Sequence, residues 1–149
     1  MSLSIFSKYE MDKFHFAKQN GEEAESEAIF ARLYSSEKSL STTYSDWDNV
    51  HSILFECCDG NTNTFYKDSV GFIPPHILSQ IINSQKFKTK YRDIQSDLNE
   101  QLEIGNIYHY DNEEEDENRP NELLIKECVR DLEILNFIIS LKKEGIYYS

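Results

Sequence analysis

NELLIKECVRDLEILNFIISLKKE, residues 121–144, is the longest segment of the chain with one consistent apolar period. Leu124, Cys128, Leu132, Leu135, Ile138 or Ile139, and Leu141 recur at steps of three and four, the spacing that stacks side chains on one face of an α-helix. Pro120 and Asn121 stand where a start signal belongs, Glu122 suits the first turn, and Lys142 and Lys143 suit the last. Gly145 is a candidate left-handed terminator. A helix marked at both ends and apolar along one face needs the rest of the chain to cover it, so this segment is a core element. It carries no chemistry of its own.

Working outward, Ile146-Tyr147-Tyr148 fits a short terminal strand. On the other side, Asp111-Asn112-Glu113-Glu114-Glu115-Asp116-Glu117 puts six acids in seven residues and leads to Asn118-Arg119-Pro120. Self-repulsion and the lack of any apolar residue predict a flexible, solvated loop over 111–119. Ile107 to Tyr110 alternates enough for a strand. Before it, Phe87, Tyr91, Ile94, Leu98 and Leu102 predict a helix that Ile104-Gly105-Asn106 closes. Lys86, Lys88, Lys90 and Arg92 cluster at its start, the unfavourable end for positive charge, which predicts that it begins late. Pro74 and Pro75 open a further helix with Ile77, Leu78, Ile81 and Ile82 at helical spacing.

In the first half, Ser2 to Lys8 reads as a strand. Met11, Phe14 and Phe16 fit either a strand or a short helix, and Gly21 punctuates them. Glu22 to Tyr34 predicts a helix with a stripe of Ala24, Ala28, Ala31 and Leu33 or Tyr34. Ser35 to Tyr44, rich in Ser and Thr, reads as a loop. Ser45 with Asp48 three residues on suggests a reciprocal cap for the next helix, whose face is Trp47, Val50, Leu54 and Cys57 or Cys58. Asp59-Gly60-Asn61 ends it in a turn. Thr62 to Phe72 is open between a strand and an irregular connection. The expected fold is one α+β domain over 1–149, with about five helices, a long C-terminal amphipathic helix and a small sheet of short strands. No internal repeat is visible.

Composition narrows the partners. The chain has 149 residues, 39% hydrophobic, and a formal net charge of −12. The negative excess lies in residues 1–60 and 111–149, while 61–110 balances. Nucleic acid and anionic membrane surfaces would be repelled and a cationic protein attracted. No stretch reaches the roughly 18 consecutive apolar residues of a spanning helix. Three cysteines, two of them adjacent at Cys57 and Cys58, form no disulfide framework, as expected where thiols stay reduced. The expected setting is cytoplasmic, and the expected state a monomer or weak dimer.

Trp47-Asp48-Asn49-Val50-His51 followed by Ile53-Leu54 resembles the Trp, two residues, apolar-His opening of a Leu-rich helix in the YfbM-like family, bacterial domains of unknown function. Phe72-Ile73-Pro74 with Ile77 and Ile81 is similar to that family's mid-chain helix entry. Ile107-Tyr108 before an acidic stretch and a long closing helix is the third matched piece. His109 stands where the family usually has Pro, and its Gly-rich segment is reduced here to Gly71. The resemblance implies a single α+β domain and supplies no reaction.

Candidate sites follow from residue chemistry. Trp47, Asp48 and His51 lie within one helical turn, and with Tyr108 from another segment they outline a possible pocket. A carboxylate that orients an imidazole prepares a general base, but the plainer reading makes Trp47 a core anchor and His51 its hydrogen-bonded neighbour. Cys57 and Cys58 lack metal-ligand spacing, as do His15, His76 and His109, so no metal or other cofactor is expected. The acidic run lacks the ligand alternation and central Gly of a calcium loop. Phosphate-loop, serine-hydrolase and zinc-protease motifs are absent. The favoured expectation is a non-enzymatic binding protein of immunity type that neutralises a basic, nuclease-like toxin. Asp111, Glu113, Glu114, Glu115, Asp116 and Glu117 would meet the partner's Lys and Arg. The alternative is a small-molecule enzyme or ligand-binding domain with its pocket near Trp47 and His51.

Overall fold

The computed structural model describes residues 2–58, 71–107 and 119–149. They form an α+β fold of six helices and a four-stranded antiparallel sheet. The strands are β1 (Ser2–Ser7), β2 (Ser39–Thr43), β3 (Gly71–Ile73) and β4 (Ile146–Tyr148), in the order β2-β1-β4-β3. The helices are α1 (Lys8–Gln19), α2 (Glu23–Leu33), α3 (Tyr44–Glu56), α4 (Pro75–Asn83), α5 (Gln85–Ile107) and α6 (Glu122–Ser140). The sixth helix, beyond the five expected, is α1, where Met11, Phe14 and Phe16 had left strand and helix open.

Strand alternation divides the sheet into two faces. Leu3, Ile5, Ile73, Ile146 and Tyr148 enter the main core with α3, α4 and α6, while Phe6 joins Met11, Leu33 and the partly buried Tyr147 on the side of the α1 and α2 hairpin. The pairings Phe6 with Tyr147 and Phe72 with Tyr147 place those rings on one row. The sheet is therefore a middle layer, with α3, α4 and α6 on one side, α5 packed against those helices, and α1 and α2 on the other side.

The opening segment folds as its period dictates. Asn121 Oδ1 accepts from the Leu124 amide at 3.1 Å and starts α6. Cys128, Leu135, Ile138 and Leu141 are buried as the spacing requires, and Ile134 joins them. Each fully buried Ile or Leu contributes about 2 kcal/mol by removal from water. After Ser140 the chain makes one further turn to Gly145, whose φ of +78° turns it into β4. An added Cβ there would stand 2.7 Å from the Ile73 carbonyl oxygen, so the close approach of β3 requires glycine as well.

Five sequence expectations are corrected. The buried stripe of α2 is Ser26, Ile29 and Leu33, while Ala24, Ala28 and Ala31 are exposed. Ser35 to Tyr44 is not all loop, because Ser39–Thr43 pairs with β1 over five residues. Leu40 and Thr42 point inward from it, an alternation written largely in Ser and Thr. The cap of α3 is Thr43 and not Ser45: its Oγ1 accepts from the Asp46 amide at 3.1 Å. The basic cluster does not delay α5, which begins at Gln85. Ser84 Oγ accepts from the Phe87 amide, Lys86 Nζ donates to the Glu56 carbonyl oxygen at 3.3 Å, and Lys90 pairs with Glu56 at 2.7 Å. Those lysines meet the negative end of α3, which offsets their placement at the positive end of their own helix. Finally, α5 runs through Gly105 to Ile107, so Ile107 is helical rather than in a strand. The expected turn at 59–61, the strand at 108–110 and the acidic residues 111–117 lie outside the described residues.

Candidate functional site

Two places that combine aromatic and charged side chains are the junction of α3 with β4 and the outer face of the α1 and α2 hairpin.

Thr43 fixes the phase of α3, and positions 47, 51 and 55 then fall on one side of it. Trp47 is 4% exposed and belongs to the main core. Its ring centroid lies 5.7 Å from His51 and 4.7 Å from Tyr148. His51 is half-buried, stacks on Phe55 at 6.5 Å and meets Tyr148 edge-on at 5.8 Å. Tyr148 Oη stands 3.4 Å from His51 Nε2, a long contact whose donor depends on the imidazole tautomer. Burial holds the His51 imidazole below its ordinary 6.5, and the nearby Asp48 charge opposes that shift. The ring is therefore neutral at pH 7.

Asp48 is exposed, and no hydrogen bond joins it to His51 among the described residues. Asp48 is thus not placed as the orienting carboxylate of a His-based general base. Tyr108, the residue expected to close this pocket, lies outside the described residues. Among the described residues, Tyr148 is the aromatic side chain that another segment brings against Trp47 and His51. Sequence reading missed it because only the sheet brings residue 148 next to residue 51, with no linear signal.

Two of the thiols, Cys57 and Cys128, are poor nucleophiles. All three cysteines are buried, and none is in a disulfide among the described residues. Burial raises the Cys57 thiol, with Lys90 and Lys86 opposing, and burial followed by Asp97 raises Cys128. Both stay protonated near neutrality. Among the described residues no group of His, Cys, Asp and Glu is arranged to hold a metal ion. No helix among them is long and apolar enough to cross a membrane.

The hairpin face is different in kind. Gly21, with φ of +70°, reverses the chain between α1 and α2. The hairpin leaves Tyr9 at 55%, Phe16 at 65%, Phe30 at 48% and Tyr34 at 58% exposure. Phe30 lies 4.6 Å from Tyr34 and 5.7 Å from Phe14, so part of this surface is a continuous run of rings. A groove of about 340 Å³ opens between the helices, with Tyr9, Phe16, Ala17 and Ile29 among its walls. Asp12, Glu22 and Glu25 line it as well, against one base, Lys13. Lys13 Nζ sits 4.9 Å from the Tyr9 ring centroid. The sequence holds nine Tyr and nine Phe, but which of them are exposed depends on which helix faces the sheet covers.

In comparisons with known proteins, no family model, no curated protein and no solved structure matches the chain.

Proposed function

We propose that this chain is a non-enzymatic acidic binding protein of the cytoplasm, an immunity-type inhibitor that neutralises a basic, nuclease-like toxin domain by covering it. The observation that carries the reading is the hairpin, where the exposed Tyr9 and Phe16 share a groove with carboxylates from both helices and Phe30 and Tyr34 are exposed nearby in sequence on α2 and at its end. Exposed Tyr and Phe supply contact area at low entropic cost, and aromatic residues are enriched at interfaces. Negative charge steers a cationic partner toward them and disfavours neutral or anionic competitors. A net charge of −12 extends that field over the whole molecule, and Asp111, Glu113, Glu114, Glu115, Asp116 and Glu117 add to it in this reading.

The test is capture from the native host at low salt. The expected result is a cationic protein whose binding falls as salt rises, and whose nuclease activity is lost at stoichiometric mixing. Recovery of no cationic partner at low salt overturns the reading. The contact of Tyr148 with His51 favours, as a second reading, the ligand pocket beside α3 that resemblance to the YfbM-like family left open. Trp47 offers a ligand little surface there, which places this reading second.

A further inference from the structure

We infer that the groove between α1 and α2 is a seat for an arginine side chain of a cationic protein partner. This inference rests on the proposed binding function and assigns the chemistry of its anchor. Tyr9, Lys13 and Phe16 follow one side of α1 at steps of four and three, and Glu22, Glu25 and Ile29 follow one side of α2 at steps of three and four. The two stripes form opposite walls. One wall presents aromatic rings, and the other presents carboxylates above an apolar residue.

Charge selects the occupant. Asp12 is already paired with Lys8. Glu22 and Glu25 are exposed, and neither has an ion-pair partner within 4.0 Å among the described residues. An apolar groove with unmatched carboxylates at its edge suits a side chain that is apolar along its stem and cationic at its tip. Lys13, one turn along α1, holds its ammonium over the Tyr9 ring, the kind of contact an incoming guanidinium would make there.

Geometry favours arginine over lysine. A planar guanidinium can stack on an aromatic ring while its edge donates to carboxylates, which a compact ammonium cannot do at once. The groove volume of about 340 Å³ is at the lower end of the range for small-ligand sites, a size for one inserted side chain and not for a docked helix.

The experiment titrates the intact protein with an alternating Arg-Gly peptide, its lysine counterpart and its citrulline counterpart, following backbone amide shifts. The Arg peptide is expected to move the Tyr9, Phe16 and Ile29 resonances, the lysine peptide to do so more weakly, and the uncharged citrulline peptide not at all. The double variant Glu22→Gln with Glu25→Gln should weaken Arg-peptide binding roughly tenfold. Lys13→Gln should tighten it several-fold by removing a competing cation. All three side chains lie at the surface of the hairpin, so the variants keep the fold, which circular dichroism checks. Binding of the Arg peptide with shifts mapping elsewhere, or unaffected by the Glu22 and Glu25 changes, overturns the seat while leaving an acidic binding protein. Equal binding of the lysine peptide overturns the guanidinium assignment. No binding of either cationic peptide at low salt overturns the seat, while the binding function stands or falls separately on capture of a cationic protein partner.

Discussion

Tyr148 Oη lies 3.4 Å from His51 Nε2, so one side chain of the last strand reaches the half-buried imidazole on α3. The environment that makes this contact also controls when the imidazole can be charged. Its ionisation is depressed by burial, so between the folded value and 6.5 the unfolded chain binds a proton that the folded chain does not. Stability from this group is complete above pH 6.5 and is lost as pH falls toward the folded value. Urea midpoints measured above and below pH 6.5 should show this slope, and His51→Gln should remove its contribution. An unchanged slope in that variant would sink the assignment.

Asp131 titrates in the opposite sense. Burial first, then the charges of Asp46 and Glu127, raise its carboxyl from 3.8 to about 6, and its buried Oδ1 has no hydrogen-bond partner among the described residues. Between those values the folded chain holds a proton that the unfolded chain has released, so stability from this group falls as pH rises from 3.8 to about 6. Asp131→Asn should raise stability at pH 7 by on the order of 1 kcal/mol, once screening of a partly exposed group is allowed for. The gain should vanish below 3.8. Denaturant melts of both proteins at the two pH extremes check the sign.

Three glycines should respond differently to alanine. At Gly145 both the positive φ and the 2.7 Å approach to the Ile73 carbonyl oxygen oppose a side chain, and a loss of about 3 kcal/mol is expected. Gly21 has φ of +70° with nothing within 4 Å, so only the backbone term of about 1 kcal/mol applies. Gly105 is helical, and its new methyl would meet Pro120 Cγ at an ordinary 3.7 Å. Gly105→Ala should therefore stabilise by about 0.5–1 kcal/mol. Melting temperatures should rank Gly105→Ala highest and Gly145→Ala lowest.

The cap of α3 separates two neighbouring residues. Thr43→Ala removes the side chain that accepts from the Asp46 amide and should cost about 1 kcal/mol. Ser45→Ala lies inside the first turn and should be close to neutral. Equal losses in chemical denaturation would return the cap to Ser45.

Helices whose burial repeats at three and four were legible from residues alone: Leu78 and Ile81 in α4, and Cys128, Leu135 and Ile138 in α6, are buried where their spacing put them. What failed depended on neighbours. Ser39–Thr43 becomes a strand because β1 offers it hydrogen bonds, a fact that its Ser and Thr content concealed. Gln85 starts α5 because Glu56, distant in sequence, receives Lys86 and Lys90. At the candidate sites, the proximity of Trp47 and His51 was readable within one helix, whereas Tyr148 enters only through the sheet. The hairpin groove was not readable, since two amphipathic segments do not state which of their sides will meet.

The adjacency of β1 and β4 also sets a timetable. Ser4 and Ser149 exchange backbone hydrogen bonds at 2.9 and 3.1 Å, and Ile5 stands opposite Tyr148. Closing that ladder requires a loop spanning nearly all of the described chain, which is a slow event. While the ribosome is still translating, Ile5 and Phe6 have β2 along one flank and an open flank on the other, a template for intermolecular pairing. Synthesis of β4, rather than of any local helix, is then the step that commits this molecule to its native sheet.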